Sequence, residues 1–243
     1  MVELIPKGLR RIGRRWIEKR GFIPASQGPA NLHTVMHRRR PPEIQTVIDV
    51  GASDGRWSRQ MMGYYPSARY LLVEAQQAIH GPALRRFQAE HGNVICEICA
   101  AGNKAGEINF EAGDPMGGQA SATPYSRNNV VVPMETVDGL VRNHSLAGPF
   151  LLKLDTHGFE VSIFEGATNT LADCAMLIVE AYNFTLCPGC LRFPELCAYL
   201  EARGFRCVDV FDILVRPRDQ AFWQMDMVFI PASSPVFQVA EFC

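Results

Sequence analysis

Carboxylates recur at the ends of apolar runs in this sequence, and those positions carry its chemistry. Residues 150–160 read FLLKLDTHGFE: an apolar run ends on Asp155, His157 follows two residues later, and Gly158 and Glu160 close the stretch. LIVEAYN sets Glu180 and Asn183 at and after a second run, and YLLVEA ends in Glu74 and Ala75. TVIDVGASDG ends a β-branched run with Asp49, Gly51, Ala52, Ser53, Asp54 and Gly55. A neutral imidazole takes a proton near neutral pH. A carboxylate can accept hydrogen bonds from a pair of hydroxyls, orient an imidazole or hold a cation. An unpaired acid at a buried strand end is costly without such a task.

These residues need elements to position them. Short apolar runs at 46–51, 69–75, 93–102, 150–155 and 175–182 read as buried strands, and FRCVDVF and QMDMVFI near the end read as two more. Helical patterns over about 56–65, 77–90, 159–171 and 193–203 lie between them. That alternation predicts an α/β fold, a doubly wound parallel sheet with helices on both faces. Ligands of such sheets bind beyond the carboxyl ends of the strands, where the acids stand. Residues 103–137 depart from the pattern: GEINFEAG and NNVVVPMETV read as strands around a glycine-rich loop at 114–126, a β-rich excursion that supplies a mobile, specificity-determining wall.

The first strand–turn–helix junction is not a dinucleotide site. Counting from Gly51, Ser53 and Arg56 stand where the second and third glycines of G-x-G-x-x-G belong. Asp54 would bring negative charge toward a pyrophosphate. A cofactor with no phosphate, a cationic centre and an amino-acid end suits the loop better, and S-adenosylmethionine has those features. The expected cofactor residues are Asp49, Gly51, Ala52, Ser53, Asp54, Gly55, Glu74, Ala75, Ala100 and Asp155, with Glu74 placed for the ribose hydroxyls.

TVIDVGASDGRWS, YLLVEAQ, FLLKLDTHGFEVSIFEGA, LIVEAYN and the late GF…D followed by DMVFI resemble the FkbM-type S-adenosylmethionine-dependent methyltransferases, in order and spacing, from about residue 44 to 231. The resemblance implies a class I methyltransferase (Rossmann-like) fold of seven strands, the last antiparallel. It implies methyl transfer, usually to a hydroxyl oxygen of a sugar, polyketide or other natural product. His157 is a departure, since that family more often carries Gln or Glu at its position.

Methylating an alcohol requires in-line placement of the methyl group and removal of the hydroxyl proton, with help from a base or a metal ion. The candidate catalytic residues are Asp155, His157 as base, and Glu180. Asp155 has three open roles: orienting the acceptor hydroxyl, binding the methionine amino group, or orienting His157. Asp155, Glu180 and Asn183 together form a conditional Mg²⁺ site. Two alternatives stand beside O-methylation of a small-molecule acceptor: N-methylation of an amine or amide, and a non-catalytic protein that binds through its basic arm.

The 243 residues suffice for one domain, expected at 43–243, behind a basic helical extension at 1–42. The overall charge is −1, but residues 1–40 hold ten Lys/Arg and two acids. The arm is read as a solvated helical face packing through Leu4, Ile5, Leu9, Ile12, Trp16 and Ile17, with a homo-oligomer contact as its other use; nucleic acid is not the expected partner. RRRPPE reads as a linker. No apolar stretch is long enough to span a membrane and no secretory h-region opens the chain, so a cytoplasmic protein with reduced cysteines is expected. Cys96 and Cys99 should point to opposite faces of a strand. The turn Cys187–Pro188–Gly189–Cys190 is the better zinc candidate, given two further ligands such as Cys197 and a distant partner.

Overall fold

The computed structural model describes residues 30–41 and 43–241; the arm pattern over 4–17 lies outside the described residues. The strands in chain order are β1 (Thr46–Val50), β2 (Arg69–Val73), β3 (Val94–Glu97), β4 (Ala100–Ala101), β5 (Gly106–Glu111), β6 (Gln119–Ser121), β7 (Asn129–Glu135), β8 (Phe150–Leu154), β9 (Cys174–Tyr182), β10 (Phe205–Val215) and β11 (Phe222–Pro231). Seven of them form one sheet in the order β10-β11-β9-β8-β1-β2-β3, and the other four form a second sheet in the order β4-β7-β5-β6. In the large sheet β3, β2, β1, β8 and β9 are parallel, and β11 runs antiparallel between β9 and β10. The chain winds from β1 toward β3, then returns to the other side of β1 with β8. The switch point therefore lies between β1 and β8.

All five residues of β1 and all five of β8 are buried, as central parallel strands require. Alternate residues feed two cores. Ile48, Val50, Leu71, Leu152 and Leu154 join one face, while Val47, Tyr70, Leu72 and Leu151 join the other. Asp49 and Lys153 interrupt these runs at partnered positions of β1 and β8, and the two form an ion pair inside the sheet.

The helices are α1 (Leu32–Arg39), α2 (Arg56–Met61), α3 (Gln77–Glu90), α4 (Val137–Asn143), α5 (Glu160–Glu165), α6 (Thr168–Ala172) and α7 (Phe193–Glu201). Asn31 caps α1, and Val35 and Met36 bury into the core beneath β1 and β2. Arg38 and Arg39 pair with Asp209 of β10 at 3.0 and 3.4 Å, so the stretch read as a linker begins as the last turn of a helix tied to the sheet.

Two expected elements are split. The strand expected over 93–102 ends at Glu97, and Ala100–Ala101 leaves to pair with β7. The helix expected over 159–171 breaks at Gly166, which packs so closely on the Gly102 carbonyl that a Cβ would overlap it. Both breaks seat the small sheet against the large one above the switch point.

Candidate active site

A cleft opens at the carboxyl ends of β1, β2 and β8, roofed by the small sheet and the loop before β6. Gly51 sits at its base with φ +78°, and a Cβ there would overlap the Asp155 carbonyl oxygen. Only glycine lets the two strand ends approach this closely. Ser53 follows, also with positive φ (+51°), which aims its amide at Glu74. Glu74 is buried, and its two carboxylate oxygens accept from the Ser53 and Gln76 amides, each at 2.8 Å.

Gly51, Ser53, Glu74, Ala75, Ala100, Asp155 and His157 line the cleft as the sequence suggested. Four expected cofactor residues do not. Asp49 faces the opposite side of the sheet, where Ser58 donates to it at 2.7 Å and Lys153 lies at 3.2 Å. Burial raises its pKa against the pull of Lys153 and Ser58. Ala52 packs into the α2–α3 core. Asp54 turns outward to Arg56 (2.7 Å), which holds its carboxyl below the usual range. Gly55 supports Phe87 and Leu72 with a φ of +79°.

The roof brings Gln76 and Phe110, which sequence reasoning missed, together with Met116 and Gly118 of the loop expected to form a wall. The loop expected to be a mobile wall is fastened on both sides. His80 Nε2 donates to the Pro115 carbonyl (2.8 Å) and Gln76 Nε2 to the Asp114 carbonyl (3.2 Å). Gln119 Nε2 donates to the His157 carbonyl (3.1 Å), and His157 Nε2 lies 2.9 Å from the Met116 carbonyl.

The far end of the cleft gathers charge. Lys153, buried in β8, stands 3.2 Å from both Asp49 Oδ1 and Asp155 Oδ2. Its desolvation is outweighed by these two acids, and its pKa is raised. Burial likewise works against an ionised Asp155, but Lys153 and His157 overcome it and lower its pKa. His157 adopts φ +53° and Gly158 φ +110°, a turn fixed by Glu160, whose Oε1 accepts from the Gly158 amide (2.8 Å) and Thr156 Oγ1 (3.0 Å). That turn drives the imidazole toward β9. His157 Nδ1 is 2.7 Å from the Tyr182 hydroxyl and 3.1 Å from Glu180 Oε2, and Nε2 is 3.9 Å from Asp155 Oδ1. Tyr182 and Gln224 both donate to Glu180. Burial disfavours the imidazolium, yet the hydrogen bond and charge of Glu180, then Asp155, carry the His157 pKa up to about 9. In this arrangement His157 is a cation at neutral pH and not a ready base.

One more acid stands here that the sequence did not single out. Asp226 of β11 pairs in register with Glu180, and burial with the charges of Glu180 and Asp155 pushes its pKa up to about 7. Asn183 does not join the acids: its amide donates to the Phe222 carbonyl at 3.1 Å. Among the described residues, the group with metal-ligand spacing is Asp155, His157 and Glu180, whose ligand atoms all lie within 4.8 Å of one another. Cys187 and Cys190 are not joined by two further ligands among the described residues. Cys190 Sγ instead accepts from the Leu186 and Cys187 amides, at 3.0 and 3.2 Å.

The family model for the methyltransferase FkbM domain matches residues 49–207, from the first strand to the start of β10. The chain belongs to the FkbM methyltransferase family. No curated protein matches the sequence. Among solved structures, Sp1610 of Streptococcus pneumoniae, to which tRNA methylation has been attributed, was crystallised with S-adenosyl-L-methionine. It shares 12% identity over 77% of this chain and 66% of its own length, at TM-score 0.46. M. capricolum TrmK, solved with S-adenosyl-homocysteine, shares 7% over 84% of this chain and 70% of its own, at TM-score 0.49. The chain spans about two thirds of the length of Sp1610.

In this FkbM methyltransferase an aromatic wall continues past Glu180. Phe184 stacks on Trp223 (centroids 5.2 Å apart), Tyr182 meets Trp223 edge-on, and the Arg216 guanidinium lies 4.1 Å over the Phe184 ring. These rings and Glu180 stand beyond the lining of the cleft and join it through His157, which meets both Glu180 and Tyr182. Among the described residues, no helix is long and apolar enough to cross a membrane.

Proposed function

We propose that this methyltransferase uses S-adenosylmethionine to methylate a hydroxyl of a small, ring-bearing acceptor of the sugar, polyketide or natural-product kind. The observation that carries the reading is a cleft lined by Glu74, a buried carboxylate set on backbone amides, and by Asp155 and His157, with Glu180 and Tyr182 held against His157. Each Glu74 oxygen accepts one amide and keeps further lone-pair capacity, which suits a ribose diol. Gly51 and Ser53 present backbone to the amino-acid end of the cofactor. Asp155 is assigned to its ammonium or to the acceptor hydroxyl. The wall of Phe184 and Trp223 is assigned to the acceptor ring.

In the reaction the acceptor oxygen bonds to the methyl carbon as the carbon–sulfur bond breaks. The hydroxyl proton passes to His157, which must first be neutral. Calorimetry with S-adenosylhomocysteine is the direct check. The reading fails if nothing binds at high micromolar concentration, or if Gly51→Val and Glu74→Ala leave binding intact. One observation supports an amine acceptor as the second reading: an imidazole held protonated suits a nucleophile that needs no base. Full activity of His157→Ala on an amine substrate would select it.

A further inference from the structure

We propose that Asp155, His157 and Glu180 bind one divalent transition-metal ion of the Mn²⁺ type, with His157 as the ligand that sets its preference over Mg²⁺. Two carboxylates and an imidazole converge from the ends of two adjacent strands, with all three ligand atoms within 4.8 Å. The 3.1 Å between His157 Nδ1 and Glu180 Oε2 is the separation of two cis ligands when each sits about 2.1 Å from one ion.

The far side of each ligand is already held, as ligands of a metal centre are. His157 Nε2 faces the Met116 carbonyl at 2.9 Å; donating there leaves the Nδ1 lone pair directed at Glu180. Asp155 Oδ2 is taken by Lys153 at 3.2 Å, while Oδ1 lies 3.9 Å from His157 Nε2. Glu180 Oε1 is taken by Gln224. The positive φ of His157 places a non-glycine residue in a costly conformation that brings the imidazole into this group. Tyr182, which shares Glu180 Oε2 and Nδ1, is the group an ion would displace.

The chemistry of the donors decides the class of ion. Two carboxylates alone suit Mg²⁺, whereas an imidazole added to them favours Mn²⁺, Fe²⁺ or Co²⁺. Binding of the ion depends only on these three side chains; with the ion bound, His157 is a ligand and the ion would take over from it in loosening the acceptor proton, a use that rests on the methyltransferase reading above.

The test titrates Mn²⁺ into the chelator-treated full chain and follows free Mn²⁺ by electron paramagnetic resonance. Saturable binding of one ion per chain is expected, with Mg²⁺ a weak competitor. Glu180→Gln and His157→Ala should each weaken it by about tenfold or more, while Asn183→Ala leaves it unchanged. Thermal melts in chelator check that each variant is folded, and Asp155→Asn serves if one is not. No saturable binding below about 1 mM, or equal binding by the Glu180→Gln and His157→Ala variants, overturns the proposal. S-adenosylhomocysteine binding is measured on the same samples. Its loss with Mn²⁺ binding retained overturns the methyltransferase cofactor reading alone, and the reverse result overturns the metal site alone.

Discussion

Carboxylates are held in opposite ways at Glu74, which lines the cleft, and at Glu180, which stands behind His157. Glu74 is fixed by backbone amides of neighbouring turns, each 2.8 Å away. Glu180 is fixed by side chains: His157 from the turn after β8, Tyr182 from its own strand and Gln224 from β11. The first arrangement comes with the strand–turn geometry and is rigid before any ligand arrives. The second depends on several side chains meeting, and each can be removed separately. Substitutions at the Glu74 end should therefore act on cofactor binding, and those at the Glu180 end on the chemical step.

Gly51→Val should break the contrast outright, because Gly51 touches both ends. Its left-handed φ and the Asp155 carbonyl leave no room for a Cβ. Loss of measurable S-adenosylhomocysteine binding by calorimetry is expected, with at least a thousandfold loss of activity. Near-normal affinity in a folded variant would mean that the cofactor lies elsewhere.

His157→Ala should lower kcat by about 10²–10³-fold on an alcohol substrate, with the S-adenosylhomocysteine Kd within about threefold of wild type. Glu74→Gln should do the reverse. It keeps the size but weakens charge-assisted bonds, so Kd should rise about ten- to thirtyfold while kcat at saturating cofactor is nearly kept. If both variants changed Kd equally, the two ends would not be separate sites.

How far each end was legible in the sequence follows the same division. Glu74, Gly51 and Ser53 could be read because their partners lie in neighbouring strand ends, and a buried apolar run fixes where a strand stops. The parallel sheet followed from the alternation, and its seven strands with the last antiparallel from the resemblance. Asp49 was misread, although a signal was present. Side chains alternate along a strand, so Asp49 shares the face of Val47, away from Val50, which lines the cleft. Lys153 obeys the same count and meets Asp49 across the pair of strands. The Glu180 end was only partly legible. Asp226 and Gln224 come from a strand 40 or more residues later, and the Met116 carbonyl from a loop whose path no local pattern sets. Asn183 looked like a ligand because it follows Glu180, but the turn after β9 directs it to Phe222.

Crowding of charge at the Glu180 end has a cost in stability that the Glu74 end does not share. Asp226 has a pKa of about 7 in the folded chain against about 3.9 unfolded. The folded state therefore binds its proton more tightly. That stabilising contribution is complete below pH 4 and is lost as pH rises toward 7. In chelator, Asp226→Asn should be more stable than wild type at pH 8, on the order of 2–3 kcal/mol by urea unfolding, and nearly equal to it at pH 4. Saturating Mn²⁺ should narrow the difference at pH 8, because a cation relieves the repulsion that raises this pKa. A pH-independent difference would place the effect in packing instead.

The smallest effect is expected at Met116, where the two ends come nearest through the roof. Its side chain lines the cleft but is 59% exposed, whereas its carbonyl is what His157 meets. Met116→Ala removes the thioether and keeps the carbonyl, and the loop stays fastened through Pro115 and Asp114. A partly exposed side chain contributes little of its transfer free energy to a bound ligand. The S-adenosylhomocysteine Kd should shift by about threefold or less, and kcat should not change. A tenfold fall in kcat would show that His157 is placed by the Met116 side chain and not by its backbone, and would join the roof to the chemical end of the cleft.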